Sequence, residues 1–259
     1  MKSRGVKFIE PEDGDLACRT TGPGRLADLD TILERVKSHF KKLHDLQGLR
    51  ILVTAGPTHE PLDPVRYISN PSSGKMGYAV AEQAKARGAE VVLISGPTHL
   101  KPPMGVSFKT CKTAGEMNSL VQECFPECDV LVMSAAVGDF TAEKLEKEKI
   151  KKKSKEGQTL NLVPTKDILM EVSKIKTQQF VVGFAAETQN LIQSALEKLR
   201  NKKLDLIVAN DISAPGIGFQ SDNNQVTLVD SDEQVENLPR MAKREIANIL
   251  LDKISRGAR

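Results

Sequence analysis

Residues 51–77, ILVTAGPTHEPLDPVRYISNPSSGKMG, carry the chain from an apolar strand through a polar loop into a helix. Ile51, Leu52 and Val53 form a short apolar run that stops at Ala55-Gly56-Pro57, the composition of a parallel strand leaving its sheet. Ser72-Ser73-Gly74-Lys75-Met76-Gly77 then brings hydroxyls, glycines and a lysine to the start of a helical pattern, Met76, Ala79, Val80, Gln83 and Ala84. The first turn of a helix has N–H groups without intrahelical partners, and with a lysine beside them they attract phosphate. The segment therefore reads as a nucleotide site, with a glycine-rich turn that binds nothing as the plainer alternative. Two familiar motifs do not fit. A Walker A loop needs glycine five residues before Gly74 and a hydroxyl after the lysine, where this chain has Ser69 and Met76. A dinucleotide fingerprint needs G-x-G-x-x-G directly after the strand, but Gly56 is followed by Pro57 and Thr58.

Beyond this segment, apolar strand-like runs at 50–54, 90–95, 130–134, 180–184, 204–209 and 225–229 alternate with helical patterns at 76–87, 114–123, 168–174, 188–202 and 239–255. In the last helix Leu238, Met241, Ile246, Ile249, Leu250 and Ile254 make one face, and Pro239 suits its first turn. This alternation predicts an α/β fold: a Rossmann-like, doubly wound, mostly parallel sheet with helices on both faces. Unusual residues follow the strands: Ala55-Gly56-Pro57, Ser134-Ala135-Ala136, Phe184-Ala185-Ala186 and Asn210-Asp211. In an open α/β sheet ligands sit outside the carboxyl ends of the strands, so these segments are expected to converge. Small residues such as Ala135 and Ala136 would let a flat base or ribose approach the backbone; close packing of loop on sheet explains them equally well.

Composition sets limits on partners. Lys+Arg 37 against Asp+Glu 34, with no Trp, is too balanced to announce nucleic acid and offers little aromatic surface for stacking bases. No apolar run approaches a bilayer span, and the N-terminus lacks a basic stretch followed by an apolar one, so a cytoplasmic enzyme is expected. Cys18, Cys111, Cys124 and Cys128 make no C-x-x-C pair, and His39, His44, His59 and His99 complete no metal-ligand spacing. Reduced thiols are expected, with Cys124 and Cys128 around Pro126 packing as small apolar groups at a helix end.

Residues 1–48 show no repeated β–α unit and read as an attachment that includes a charged helical stretch at 29–46. Residues 143–157, EKLEKEKIKKKSKEG, would ordinarily be a solvated surface loop. Because they directly follow the strand end at 135–139, a basic flap that covers a triphosphate and excludes water is the sharper reading.

AGPTHEPLDPVRYISNPSSGKMG, Ser134-Ala135-Ala136-Val137-Gly138-Asp139, Lys149-Ile150-Lys151-Lys152, Gly183-Phe184-Ala185-Ala186-Glu187-Thr188 and Leu204-Asp205-Leu206-Ile207-Val208-Ala209-Asn210-Asp211, in this order, closely resemble phosphopantothenoylcysteine synthetase of the bacterial type. The resemblance covers the chain from about residue 49 to the C-terminal helix and implies a synthetase domain at 49–259. Ile9-Glu10-Pro11, residues 14–18 and residues 22–27 resemble the tail of the flavin-dependent decarboxylase to which such ligases are often fused. That family has an Ala-Cys-Gly segment where this chain has Ala17-Cys18-Arg19, and its flavin-binding body is missing, so decarboxylase activity is not expected.

The resemblance implies ligation of 4′-phosphopantothenate to L-cysteine in coenzyme A biosynthesis, with CTP as co-substrate and Mg²⁺ as cofactor, in a homodimer. A carboxylate oxygen attacks the α-phosphorus, giving an acyl-cytidylate and pyrophosphate; the cysteine amine then attacks the carbonyl and releases CMP. Of the motif residues, Lys149 is implied to neutralise charge at the α-phosphate and Asn70 to serve the acyl-nucleotide and the incoming amine. Arg66 is implied to grip phosphopantothenate, with Ser72, Ser73, Gly74 and Lys75 also on the substrate side. The nucleotide falls to Ser134, Ala135, Asp139, Lys149, the segment Thr165-Lys166-Asp167-Ile168, Phe184, Lys198 and Lys202. The family often has Asn-Pro-Asp-Ile at that four-residue segment, so base contacts there are open, and ligands for the metal are unassigned. Lys198 and Lys202 stand one helical turn apart and could point at one polyphosphate. An apolar edge strand at 226–229 would need cover, which a dimer would supply. Two rival readings remain. A short-chain reductase needs Tyr-x-x-x-Lys, but Tyr67 and Tyr78 are followed four residues later by Pro71 and Glu82. A noncatalytic nucleotide-sensing module would use the basic stretch as a docking patch.

Overall fold

The computed structural model describes residues 6, 8–15, 21–42, 44–151, 159–187, 190–211 and 221–258. Cys18, part of the basic stretch and the segment after Asp211 lie outside them. The chain divides into two compact units, Met1–Asp45 and Leu46–Arg259. In the first, strands β1 (Glu12–Asp15) and β2 (Thr21–Arg25) pair antiparallel and precede helix α1 (Leu29–Lys42).

The second unit begins with β3 (Arg50–Ala55), a short hairpin of β4 (His59–Pro61) and β5 (Tyr67–Ser69), and helix α2 (Lys75–Ala86). Strands β6 (Glu90–Ser95) and β7 (Ser107–Thr110), helix α3 (Ala114–Cys124) and β8 (Val130–Met133) follow. A second hairpin, β9 (Phe140–Ala142) with β10 (Leu162–Pro164), leads to α4 (Ile168–Ile175). The chain continues as β11 (Phe180–Glu187), α5 (Leu191–Asn201), β12 (Leu206–Asp211), β13 (Asn223–Asn224), β14 (Val226–Asp230), β15 (Val235–Asn237), β16 (Met241–Ala242) and α6 (Lys243–Gly257).

Eight strands form one sheet in the order β15-β14-β12-β11-β8-β3-β6-β7. From β7 to β12 all neighbours are parallel, and β14 and β15 add an antiparallel margin. Numbered along the chain, the parallel strands stand 3-2-1-4-5-6, the doubly wound Rossmann order. Successive residues of a strand face opposite sides, and both sides are covered. Ile51, Val53, Val130 and Val208 pack with α2 and α6 residues such as Val80, Ile246 and Leu250; Leu52, Leu131 and Ile207 pack with Met117, Val121, Val172 and Leu199 of α3, α4 and α5. Each fully buried aliphatic side chain removed from water contributes about 1.5–3 kcal/mol. The strand runs are near-continuously apolar for this reason.

Several expected elements shift. The last helix starts at Lys243, because Asn224 pairs with Met241 and Asn223 with Ala242 as β13 and β16, leaving Pro239 in the connection rather than the first turn. Helix α5 starts at Leu191, after Asn190 in a left-handed conformation (φ 51°). The edge argument for residues 226–229 is overturned: β14 lies between β12 and β15, because the turn after Asp230 returns the chain. Glu233 takes φ 62° there, its N–H donates to the Asp230 carbonyl at 2.9 Å, and the exposed margin is the short polar β15. Strand β7 and both small hairpins carry no apolar alternation long enough to show in the sequence. The described cysteines, Cys111, Cys124 and Cys128, are free thiols. Burial pushes the Cys111 and Cys128 thiols up to about 12, so they pack as apolar groups and are poor nucleophiles.

Candidate active site at the reversal of the sheet

The winding direction reverses between β3 and β8, and the loops that leave these two strands join there. Pro57 pairs with Ala136 in an isolated parallel bridge. The Ala136 N–H donates to the Gly56 carbonyl (2.9 Å), and the Thr58 N–H to the Ala136 carbonyl (3.3 Å). Thr54 Oγ1 accepts from the Ala135 N–H (3.2 Å), and Thr58 Oγ1 from the Gly138 N–H (2.8 Å). A crevice at such a reversal, outside the carboxyl ends of the strands, is where doubly wound sheets bind ligands.

Helix α2 starts against the same loops. Gly74 precedes it with φ 77°, a conformation open to glycine, and the Ser72 side chain accepts from its N–H at 3.3 Å. A Cβ on Gly77 would stand 2.6 Å from Ala55 Cβ and 2.8 Å from the Thr54 carbonyl oxygen, so only glycine lets the helix rest on the strand end. Ser72 and Ser73 are half-buried and Gly74 is buried. Lys75 turns away. Its Nζ pairs with Asp222 at 2.6 Å and lines a cavity of about 430 Å³ with Tyr78, Lys101 and Lys243, between α2 and the start of α6. Burial, and the Lys75 charge after it, lower the pKa of Lys243.

Asn70 sits exposed at the crevice, and its Nδ2 donates to the carbonyls of Ala136 (3.3 Å) and Val137 (3.0 Å). The loop 134–138 is half-buried and Asp139 exposed. Thr165 joins them: its N–H donates to the Asp139 carbonyl at 2.9 Å and its Oγ1 to the Gly138 carbonyl at 2.6 Å. Asp167 caps α4 by accepting from the Met170 N–H (3.1 Å) and pairs with Lys202 Nζ at 2.8 Å. The buried Ile168 side chain belongs to the core, so that residue can offer a ligand only its backbone. Lys166 is exposed, Lys198 and Phe184 are half-buried, and Phe184 packs against the α2/α6 side of the sheet. The structure thus joins Asn70, Ala135–Asp139 and Thr165 directly, and ties Asp167 to Lys202 rather than presenting Lys198 and Lys202 as one pair. One residue outside the sequence-based set stands out. Asn210, at the end of β12, has a buried side-chain oxygen with no hydrogen-bond partner among the described residues.

The described part of the basic stretch, residues 143–151, leaves β9, and Glu143 N–H donates to the Asn161 carbonyl (2.9 Å) just before β10. It is also held to the turn between β4 and β5. The Glu146 N–H donates to the Leu62 carbonyl at 3.1 Å, the Ile150 N–H to Asp63 Oδ2 at 3.0 Å, and Arg66 Nη2 to the Ile150 carbonyl at 2.6 Å. Arg66 Nε also donates to Asp63 Oδ2 (2.9 Å), so the guanidinium expected on substrate is engaged with Asp63 and the basic segment. Lys149, next to Ile150, is exposed.

A doubly wound sheet with glycine-tight loops meeting at its reversal defines a Rossmann-like α/β protein, with a candidate ligand site between its first and fourth parallel strands. The chain belongs to the family described as DNA/pantothenate metabolism flavoprotein C-terminal domain, which matches residues 46–257. It is 44% identical over 257 residues to the coenzyme A biosynthesis bifunctional protein CoaBC of Escherichia coli K12, covering 98% of this chain and 63% of that protein. A cysteine/cysteine sulfinic acid decarboxylase of an unknown prokaryote is 43% identical over 98% of this chain and 72% of its own length. The crystal structure of the C-terminal domain of a CoaBC protein superposes with a TM-score of 0.71 at 40% identity, over 82% of this chain and 97% of that one. The chain therefore spans less than two thirds of the bifunctional relative.

Proposed function

We propose that this protein joins 4′-phosphopantothenate to L-cysteine in coenzyme A biosynthesis, using CTP and passing through an acyl-cytidylate. The observation that supports the reading is the junction of Asn70 with the Ala136–Val137 loop at the β3/β8 reversal, together with the tie, through Asp63, between the β4–β5 turn that precedes Asn70 and the segment bearing Lys149. The names of the bifunctional relatives support the pathway.

In this reading the nucleotide lies along Ser134, Ala135, Asp139 and the 165–168 segment, with Phe184, Lys198 and Lys202 at its margin. Its phosphates approach Lys149, while the start of α2, where Ser72, Ser73 and Gly74 offer hydroxyl and backbone donors, serves the phosphopantothenate side. Phosphopantothenate enters beside Asn70 and Arg66. Both half-reactions bring anions together, so catalysis rests on positioning and charge stabilisation rather than a covalent enzyme intermediate. Among the described residues no three His, Cys, Asp or Glu side chains gather into a metal-binding group. Mg²⁺ belongs to the same proposal, carried by the nucleotide phosphates, where it would offset phosphate charge. No described helix is long and apolar enough to cross a membrane, and a cytoplasmic location is part of the same proposal.

Pyrophosphate release is expected to require phosphopantothenate and nucleotide together, with CTP supporting a rate far above that with ATP. Side-by-side initial rates decide this. Equal or better use of ATP would overturn the choice of base, release without phosphopantothenate would overturn the ligase reading, and no release with either nucleotide would overturn it in favour of the reductase and sensing alternatives.

A homodimer belongs to the proposal, with a different surface from the β14 edge. β4 packs beside β9, and the two hairpins leave Val65, Tyr67, Phe140 and Leu162 exposed, apolar side chains that association would cover. Light scattering at micromolar concentration should report twice the chain mass; a monomer there would count against it.

A further inference from the structure

Asp63 has no role in the chemistry proposed above, yet it is among the most heavily engaged side chains of the second unit. Its side chain is fully buried although it sits in a turn between two short strands. Oδ1 accepts from the N–H groups of Val65 and Arg66, both at 2.8 Å, which shapes the turn. Oδ2 accepts from Arg66 Nε and Nη2 and, across 87 positions of sequence, from the Ile150 N–H at 3.0 Å. Arg66 completes the ring by donating Nη2 to the Ile150 carbonyl at 2.6 Å. Both backbone groups of Ile150 are thereby held by one ion pair. A structural acid would need only its own turn, whereas Oδ2 and Arg66 reach out to a single residue of a long lysine-rich loop. Burial works against a charge on Asp63, but the bonds from Arg66, Ile150 and Val65 outweigh it and hold the carboxyl well below the usual carboxylate range. Asp63 is therefore held in its charged, proton-free form, the form that can accept all of these bonds.

We propose that Asp63, acting with Arg66, is a positioning residue that fixes the backbone at Ile150 so that the adjacent Lys149 is presented to the reacting phosphate. This rests on the reading of Lys149 given above. It also gives Arg66 a second duty: its guanidinium links the substrate side of the crevice to the loop that carries the lysine. The chemistry favours a carboxylate at 63, since both side-chain oxygens accept, Oδ1 from the turn and Oδ2 from Ile150 N–H and the guanidinium, and an amide would offer NH₂ donors to one of these sets.

The test is a double-mutant cycle with a structural readout. Asp63→Asn presents an amide NH₂ or a weaker acceptor to the same donors, and a displacement of about 1 Å at a reacting group can cost on the order of 100-fold in rate. Pyrophosphate release in Asp63→Asn should fall by about that factor, while Asp63→Glu, which keeps the charge, should recover part of it. If Asp63 acts through Lys149, the variant carrying both Asp63→Asn and Lys149→Gln should be no slower than Lys149→Gln alone, within about twofold. Limited trypsin digestion followed by mass spectrometry should show cleavage after Lys149 accelerated about tenfold or more in Asp63→Asn, with sites elsewhere unchanged, as expected for a locally released segment. Additive losses in the double variant, or unchanged cleavage after Lys149, would overturn the positioning role. A normal rate in Lys149→Gln would instead remove the reading of Lys149 itself, and the positioning role with it, so the two failures are distinguishable.

Discussion

Replacing Lys149 with glutamine is expected to suppress pyrophosphate release about 100- to 1,000-fold in the absence of cysteine, the loss seen when one preorganised charge-stabilising donor is removed from a transition state (about 2.7–4 kcal/mol). Attack of a carboxylate on the α-phosphorus places two anions in contact, and a cation that faces them contributes more as the bond forms than before it. The structure supports this demand on Lys149 in one respect. The residue is exposed, while its neighbour Ile150 is held at both backbone groups, so the ammonium can reach a ligand without its backbone drifting. A glutamine at this position would keep much of the length and the polarity but lose the charge, so the variant separates electrostatics from packing. Rapid-quench measurement of pyrophosphate with CTP and phosphopantothenate is the decisive assay. A rate within about threefold of the parent would show that the charge acts elsewhere.

Asn70→Asp is expected to separate the two half-reactions. Asn70 Nδ2 donates to the Ala136 and Val137 carbonyls, an orientation that turns its amide toward the loop proposed to hold the acyl-nucleotide. A carboxylate there cannot donate, faces two carbonyl oxygens, and adds a negative charge beside an anionic intermediate. Activation should persist within about tenfold, while transfer to cysteine falls by on the order of 100-fold, as for loss of a group that orients a nucleophile. Acyl-cytidylate should then accumulate in Asn70→Asp on rapid quench with cysteine present, and not in Lys149→Gln. If both steps fall together, the amide works by holding the 135–137 loop in shape, and its assignment to amine transfer is wrong.

Much of the sheet was legible because fully buried parallel strands must be apolar on both faces. The runs at 50–54, 90–95 and 130–134 could hardly be anything else, and their order along the chain predicted the winding. The hairpins β4–β5 and β9–β10 were not legible. They are three-residue strands with half-exposed faces, stabilised by long-range hydrogen bonds such as Thr58 Oγ1 with Gly138 N–H, which leave no periodicity to detect. Likewise the turn after Asp230 hid β15, so a strand that reads as an apolar edge proved to be internal.

The candidate site divides along the same line. The local chemistry of Ser72-Ser73-Gly74 before a helix is written in adjacent residues, and so is the basic character of the loop around Lys149. Fold class, family resemblance and the types of side chain available to anionic ligands are therefore set by residue order. How those side chains are aimed is set by the folded chain alone. Lys75 turns to Asp222, Lys202 to Asp167, and Arg66 to Asp63 and Ile150, because each cation is captured by a carboxylate or carbonyl contributed by another turn or segment of the chain. Residue type sets which interactions a side chain can make. The partner it finds depends on which strand ends and loops the winding of the sheet brings within about 3 Å, the reach of a hydrogen bond.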